Sequence, residues 1–202
     1  LRAAKDANHN TVRIWGGGIY QSDALHDLAD EMGLLMWEEA MFACGSYPSA
    51  LPGFLSNVKS EVAEQVRRVA GRPSVAIWGG NNEVEMSLDW FAPTRDNRML
   101  YAVEYHELFI KTVGGVMRQL APHLHYLDSS ATNGYAWHPQ PGDRSTDVLP
   151  VKRWGKPGDP RFGDVHFYNY QFDCEAAREF PRSKFVSEFG FLSVPNFATW
   201  AE

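Results

Sequence analysis

The strongest constraint in this chain is an alternation: short apolar runs that stop abruptly at glycines, amides or carboxylates take turns with segments of helical period. Val75-Ala76-Ile77 leads into Trp78-Gly79-Gly80-Asn81-Asn82-Glu83, and Lys184-Phe185-Val186-Ser187 leads into Glu188-Phe189-Gly190. A β-branched run that ends this way reads as a buried strand delivering a carboxylate into a cleft. Asn10 to Trp15, ahead of Gly16-Gly17-Gly18, is a strand of the same kind, and Leu34 to Trp37 is another that delivers Glu38 and Glu39. Leu124 to Leu127 ends at Asp128-Ser129-Ser130, and Asp164 to Tyr168 completes a set of six strands.

Helices fall between them. Ser22 is an N-cap for a helix with Leu25, Leu28, Ala29 and Met32 at helical spacing and Gly33 as its stop. Val58, Val62, Val66 and Val69 share one face of a second helix, which Gly71 ends. A third runs from about Met99 to Leu120, weakened near its end by Gly114-Gly115. A long Gly/Pro/Asp-rich loop then reaches Phe162, and Phe172 to Phe180 reads as a short helical stretch. Strands alternating with helices predict parallel βαβ units, with the polar residues gathered at the C-terminal strand ends, where a β/α barrel builds its active site. A closed barrel needs eight strands and only six are present, so the expectation is the middle of a barrel with two open edges.

Composition narrows the function classes. The 202 residues carry a net charge of −6 with no basic stripe, which argues against a nucleic-acid partner. No apolar stretch approaches the roughly 20 residues a bilayer-spanning helix needs. Cys44 and Cys174 stand far apart with no CxxC spacing, so neither a disulfide framework nor a zinc cluster is signalled. The chain opens at Leu1 in what reads as the last turns of a helix, without a signal-peptide pattern, and an origin within a longer protein is expected.

Two glutamates at strand ends, far apart in sequence, suit glycoside hydrolysis, in which one carboxyl gives a proton and the other faces the opposite side of the sugar. The residues that frame them also carry a family resemblance. Asn10-Thr11-Val12-Arg13-Ile14-Trp15-Gly16-Gly17-Gly18-Ile19-Tyr20, Met41-Phe42-Ala43-Cys44, Pro73-Ser74 through Asn81-Asn82-Glu83, and Ser187-Glu188-Phe189-Gly190 together resemble the β-mannosidases of glycoside hydrolase family 2. The resemblance implies a (β/α)8 TIM-barrel catalytic domain of which residues 1–202 supply about strands two to seven, the flanking β-sandwich domains being absent.

It further implies that Glu83 is the general acid/base and Glu188 the nucleophile, with Asn82 bonding the sugar's 2-hydroxyl. As the family is retaining, the carboxyl groups are expected about 5–5.5 Å apart, and this chemistry needs no metal or organic cofactor. The substrate would be a β-mannoside oligosaccharide or a glycoprotein-derived glycan. The rest of a full-length chain would be needed to close the barrel, so little or no turnover is expected of these residues alone. Such a protein would be lysosomal or secretory in a eukaryote, cytoplasmic or periplasmic in a bacterium.

Further residues are assigned by position. His166 and Tyr168 lie on the strand beside Glu188 and are expected to donate hydrogen bonds to it. Burial and the charge of Glu188 are expected to keep Glu83 protonated near neutral pH. Trp15 is a candidate wall of the sugar site, and Trp90 and Trp137, in long loops, are candidate subsites. Glu39 departs from the family pattern, which has an aspartate there; the extra methylene is expected to move a sugar contact. Three rival readings stand beside this one. His123-Leu124-His125 is a His-x-His pair of the kind that holds metal in barrel hydrolases, but it starts its strand, on the face opposite the glutamates. β-Glucuronidase and β-galactosidase share the two-glutamate machinery with different sugar contacts, and a carbohydrate-binding remnant without turnover is the non-enzyme reading.

Overall fold

The computed structural model describes residues 1–132, 156–161, 163–173, 175–190 and 198. Six strands form where the apolar runs predict them: β1 Thr11–Ile14, β2 Leu35–Glu39, β3 Val75–Gly79, β4 His125–Leu127, β5 Asp164–Tyr168 and β6 Phe185–Gly190. β1 to β4 make one parallel sheet in sequence order, and β5 and β6 make a separate parallel pair. Here the structure departs from a single continuous arc. Between β4 and β5 side chains replace the backbone ladder: Thr132 N–H donates to Asp164 Oδ1 at 2.6 Å, and Asp164 N–H donates to Thr132 Oγ1 at 3.1 Å.

The helices between the strands cover one face of the sheet. After α1 (Arg2–Asp6), α2 (Asp23–Met32) stops at Gly33, whose φ of 64° no side-chain-bearing residue adopts cheaply. In α3 (Phe54–Val69) the valines Val58, Val62, Val66 and Val69 are all buried, as their spacing requires. Two short helices follow, α4 (Val84–Ser87) and α5 (Ala92–Asp96). The long helix expected next is helical throughout, but in three parts: α6 (Arg98–Tyr105), a π-helical stretch His106–Val113, and α7 (Gly114–Leu120). Gly114 does not end it. A Cβ there would lie 3.2 Å from the Tyr126 ring of β4, so the glycine lets helix and strand approach closely. Tyr126 OH donates to the Phe109 carbonyl at 2.7 Å and fixes that approach. Among the described residues between β5 and β6 there is a 3₁₀ turn, Ala177–Glu179, in place of the helical segment expected from Phe172 to Phe180.

The core lies between the four-stranded sheet and α3, the π-helical stretch and α7, around Leu34, Met36, Trp78, Val62, Phe109 and Val113. Burying each such side chain contributes about 1.5–3 kcal/mol. No described helix is long and apolar enough to cross a membrane.

Candidate active site

The chain is stitched again beyond the C-terminal ends of β2, β3 and β4, past the ladders. Asn82 bridges Ala43 on one side and Ser130 on the other. Asn82 N–H donates to Phe42 O, Cys44 N–H to Asn82 O, and Glu83 N–H to Ser130 O at 2.5 Å. Glu83 sits at φ 57°, a left-handed conformation unusual for a residue with a side chain, immediately ahead of α4. Such strain costs on the order of 1–3 kcal/mol and persists only where neighbours impose it, as the backbone bond to Ser130 does here. The turn aims the Glu83 carboxyl toward β5 and β6.

On the other side, a register shift in the β5–β6 pair sets His166 directly opposite Glu188. Strand β6 runs on through Gly190, so Glu188 projects from within a strand rather than from its end. The two glutamates meet at the imidazole. His166 Nδ1 lies 2.7 Å from Glu83 Oε1 and 3.4 Å from Glu188 Oε2. One atom of each of the three groups falls within a 4.8 Å cluster, which brings an oxygen of Glu83 within that distance of an oxygen of Glu188. Tyr168 OH donates to Glu188 Oε2 at 2.9 Å. Burial and the neighbouring carboxylate raise the Tyr168 phenol to about 12, which keeps it a donor.

Arg13 of β1 joins the parts together. Its Nη1 donates to Glu188 Oε1, its Nη2 to Asn82 Oδ1 at 2.7 Å, and its Nε to Glu39 Oε1 at 2.8 Å. A planar fork of fixed donors can serve three acceptors at once. Glu39 is fully buried, and its second oxygen accepts from Gly16 N–H at 2.8 Å. Gly79 makes room for this longer acid, since a Cβ there would lie 2.8 Å from Glu39 Cγ; Gly16 lets the backbone pass Phe42, whose carbonyl would lie 2.5 Å from a Cβ. Burial pushes the Glu39 carboxyl up, against the pull of Arg13. Glu39 therefore reaches the site by holding Arg13 and Gly16, not by entering the cleft.

The Glu83 carboxyl corrects an expectation. Burial raises it, but the hydrogen bond and charge of His166, with lesser help from Cys44 and Arg13, outweigh burial and hold it below the ordinary carboxylate value. The charge of Glu188 does not dominate because His166 stands between the two acids.

An open cleft of about 490 Å³ lies over these groups, lined by Arg13, Trp15, Cys44, Asn82, Glu83, Tyr168, Ser187 and Glu188. Trp15, half exposed, forms part of its wall. Trp90 is not among the lining residues; its ring packs edge-on against Phe91 with centroids 6.4 Å apart. Trp137 lies outside the described residues. His123 is engaged with the Ala70 carbonyl at 2.9 Å and His125 opens β4, so this pair stands at the other end of the sheet. Glu83, His166 and Glu188 offer metal-type ligand atoms at close range. Glu188 already accepts from the Arg13 guanidinium and Glu83 already meets His166, so the cluster is one of hydrogen-bonded carboxylates.

Sequence reasoning missed Arg13, Cys44, Ser130, Asp164 and Ser187. Cys44 Sγ lies 3.4 Å from Glu83 Oε2. The signal available for Arg13 was a lone cation between Val12 and Ile14 in an otherwise apolar strand.

No family model matches the chain. Individual relatives do. The β-mannosidase of Rattus norvegicus is 40% identical over 201 residues, covering 98% of this chain and 22% of the rat protein. β-Mannosidase A of Aspergillus flavus is 36% identical over 203 residues, 96% of this chain and 21% of its own length. Among solved structures, a β-D-mannosidase from Dictyoglomus thermophilum superposes with a TM-score of 0.70 at 25% identity, over all of this chain and 22% of that one. A Bacteroides uniformis β-glucuronidase shares the fold at a TM-score of 0.53 and 24% identity over 61% of this chain. The chain thus spans about a fifth of the length of the curated relatives it matches. Within that span it is related to the β-mannosidases from one end to the other.

Proposed function

We propose that the chain carries the catalytic centre of a retaining β-mannosidase of glycoside hydrolase family 2. In this reading residues 1–202 form the middle six strands of a (β/α)8 barrel. Arg13 of β1 reaching Glu188 of β6, and Trp37 of β2 lying 6.0 Å from Phe185 of β6, support a sheet that curls toward closure. The observation that carries the reading is the approach of a Glu83 oxygen and a Glu188 oxygen to within 4.8 Å over an open cleft. That spacing suits direct attack; inversion needs about 6.5–9.5 Å between carboxyls to admit a water.

Glu188, with Arg13 and Tyr168 donating to its oxygens, attacks the anomeric carbon. Glu83 gives its proton to the departing oxygen and then takes one from the incoming water. Asn82, turned by Arg13 at its Oδ1, directs one amide N–H at Cys44 Sγ and offers its second to the 2-hydroxyl. The substrate is a terminal β-mannose of an oligosaccharide or glycoprotein-derived glycan. The related sequences favour mannose over glucuronate or galactose. The 202 residues alone are expected to turn over little or no substrate, because among the described residues the pair β5–β6 has no continuing sheet beside it.

The test is a panel of nitrophenyl glycosides assayed with the complete protein that carries this sequence. The β-mannoside should be preferred, and a preference for the β-glucuronide would overturn the reading. In the same assay Glu83→Ala should slow poor leaving groups by roughly 10²–10⁴-fold and spare the first step with activated ones.

A further inference from the structure

We propose that Asp164, Ser130 and Ser187 form a positioning relay behind His166, and that this relay keeps one exchangeable proton on the His166–Glu83 pair. The inference rests on the reading of Glu83 as acid/base. Ser187 Oγ donates to Asp164 Oδ2 at 2.5 Å, and Ser130 Oγ donates to the same oxygen at 2.8 Å. A serine has one hydroxyl hydrogen. Ser130, having directed its own at Asp164, can only accept from His166 Nε2, 3.0 Å away. Were that hydrogen turned to the imidazole instead, Ser130 Oγ and Asp164 Oδ2 would face each other at 2.8 Å with nothing between them. His166 therefore carries hydrogen on Nε2.

The other ring nitrogen then fixes how many protons the His166–Glu83 pair shares. His166 Nδ1 and Glu83 Oε1 are 2.7 Å apart, a contact that requires a hydrogen between them. Either an imidazolium faces a carboxylate, or a neutral imidazole accepts from a carboxylic acid. Both forms contain the same single proton and differ only in which side of the bond holds it.

Asp164 is buried, and its hydrogen-bond partners among the described residues are the neutral donors Ser130, Ser187 and the Thr132 N–H. Its carboxylate, one hydroxyl removed from the ring, attracts positive charge on the His166–Glu83 pair. Among the described residues the other charged or titratable groups facing the pair are Arg13 from β1, Glu39 from β2, Cys44 beyond β2, Tyr168 from β5 and Glu188 from β6.

In the first chemical step the proton passes from Glu83 to the glycosidic oxygen. The C–O bond breaks with its electron pair on that oxygen, and the Glu188 carboxylate bonds to the anomeric carbon. In the second step the water oxygen replaces Glu188 and its proton goes to Glu83. The pair ends each cycle holding one proton, as it began. Asp164 and Ser130 lie outside the cleft lining, and Ser187, which borders the cleft, takes no part in the bond changes; all three act by fixing the ring.

Asp164→Asn in the complete protein tests the relay. With a β-mannoside of poor leaving ability, the alkaline limb of kcat/KM should move to lower pH by about half to one unit, and the rate should fall roughly tenfold. With a dinitrophenyl β-mannoside the first step should stay within about threefold of the parent. Asp164 also secures the Thr132 N–H, so Ser130→Ala serves as the second variant and should move the limb the same way. An unmoved limb in Ser130→Ala, or an equal loss on both substrates, overturns the relay. Glu83→Ala run alongside separates the two readings: if it loses no leaving-group selectivity, the acid assignment fails; if it loses it while the limb stays put, only the relay fails.

Discussion

The two glutamates stand in unlike surroundings. Glu83 follows β3, the third strand of a sheet whose residues are largely buried and whose helices pack a continuous core. Glu188 belongs to β6, where Phe185 and Phe189 are more than half exposed and the connection from β5 holds only a 3₁₀ turn among the described residues. One acid is placed by packing and backbone ladders. The other is placed by polar side chains: Arg13 from β1, Tyr168 and His166 from β5, and the Ser130–Asp164–Ser187 cluster. The hydrogen-bond network of the site is thus also the joint between the two sheets, and damage to it is expected to act on both catalysis and architecture.

The comparison breaks most sharply at Arg13. Arg13→Met removes the cation facing buried Glu39 and partly buried Glu188. Stripping one partner from a buried charged cluster costs about 3–5 kcal/mol, to be read from urea melts. Turnover should fall roughly 10³-fold, as Glu188 loses its tether to β1. Arg13→Lys should recover little of it, because an ammonium cannot reach three acceptors in one plane. Retention of near-parent activity by Arg13→Met would sever the link drawn between joint and catalysis.

Amide exchange sharpens the same contrast. Protection at β2 and β3 should exceed that at β6 by about 100-fold in the isolated 202 residues, since local opening follows the density of buried contacts. Equal protection would mean that the β5–β6 pair is as firmly held as the sheet.

A smaller effect separates the acids by pH. Glu83 is held below its ordinary value of 4.5 in the fold, so its contribution to stability is present above that pH and lost as the pH falls through the lower folded value. Glu39 is raised by burial, so its contribution is present below 4.5 and lost as the pH rises through the higher folded value. In melts between about pH 3 and 7, Glu83→Gln should flatten the rise of stability with pH, and Glu39→Gln should steepen it. Slopes shifting in the same direction would contradict the assignment. The smallest effect is expected at Trp90, outside the cleft: Trp90→Ala should change KM by less than about twofold, and Trp15→Ala by more.

The strands, and the two glutamates that the fold brings together, were legible because apolar runs that end in glycine and carboxylate leave few alternatives. The helix around Gly114 was legible in extent but not in character, since the reason for the glycine is the Tyr126 ring, distant in sequence. Arg13, Ser130 and Asp164 were not legible as site residues. A lone polar residue in a strand carries no mark of the partner it will meet, and Asp164 finds its partners only when Ser130 and Thr132 arrive from beyond β4 and Ser187 from β6. The break between β4 and β5 was hidden for the same reason, because side chains replace a ladder there. The state of Glu83 was misjudged through attention to Glu188, when the group in contact with it is His166.

The account turns on Glu188 acting as nucleophile against Glu83 across a short gap. Its most direct test is covalent trapping. The complete protein would be incubated with a 2-deoxy-2-fluoro-β-mannosyl fluoride, digested and mapped by mass spectrometry. The account predicts one fluoromannosyl group on the peptide containing Glu188, with inactivation in step with labelling. A label on Glu83 or elsewhere, or release of sugar with inverted configuration and no adduct, would contradict it.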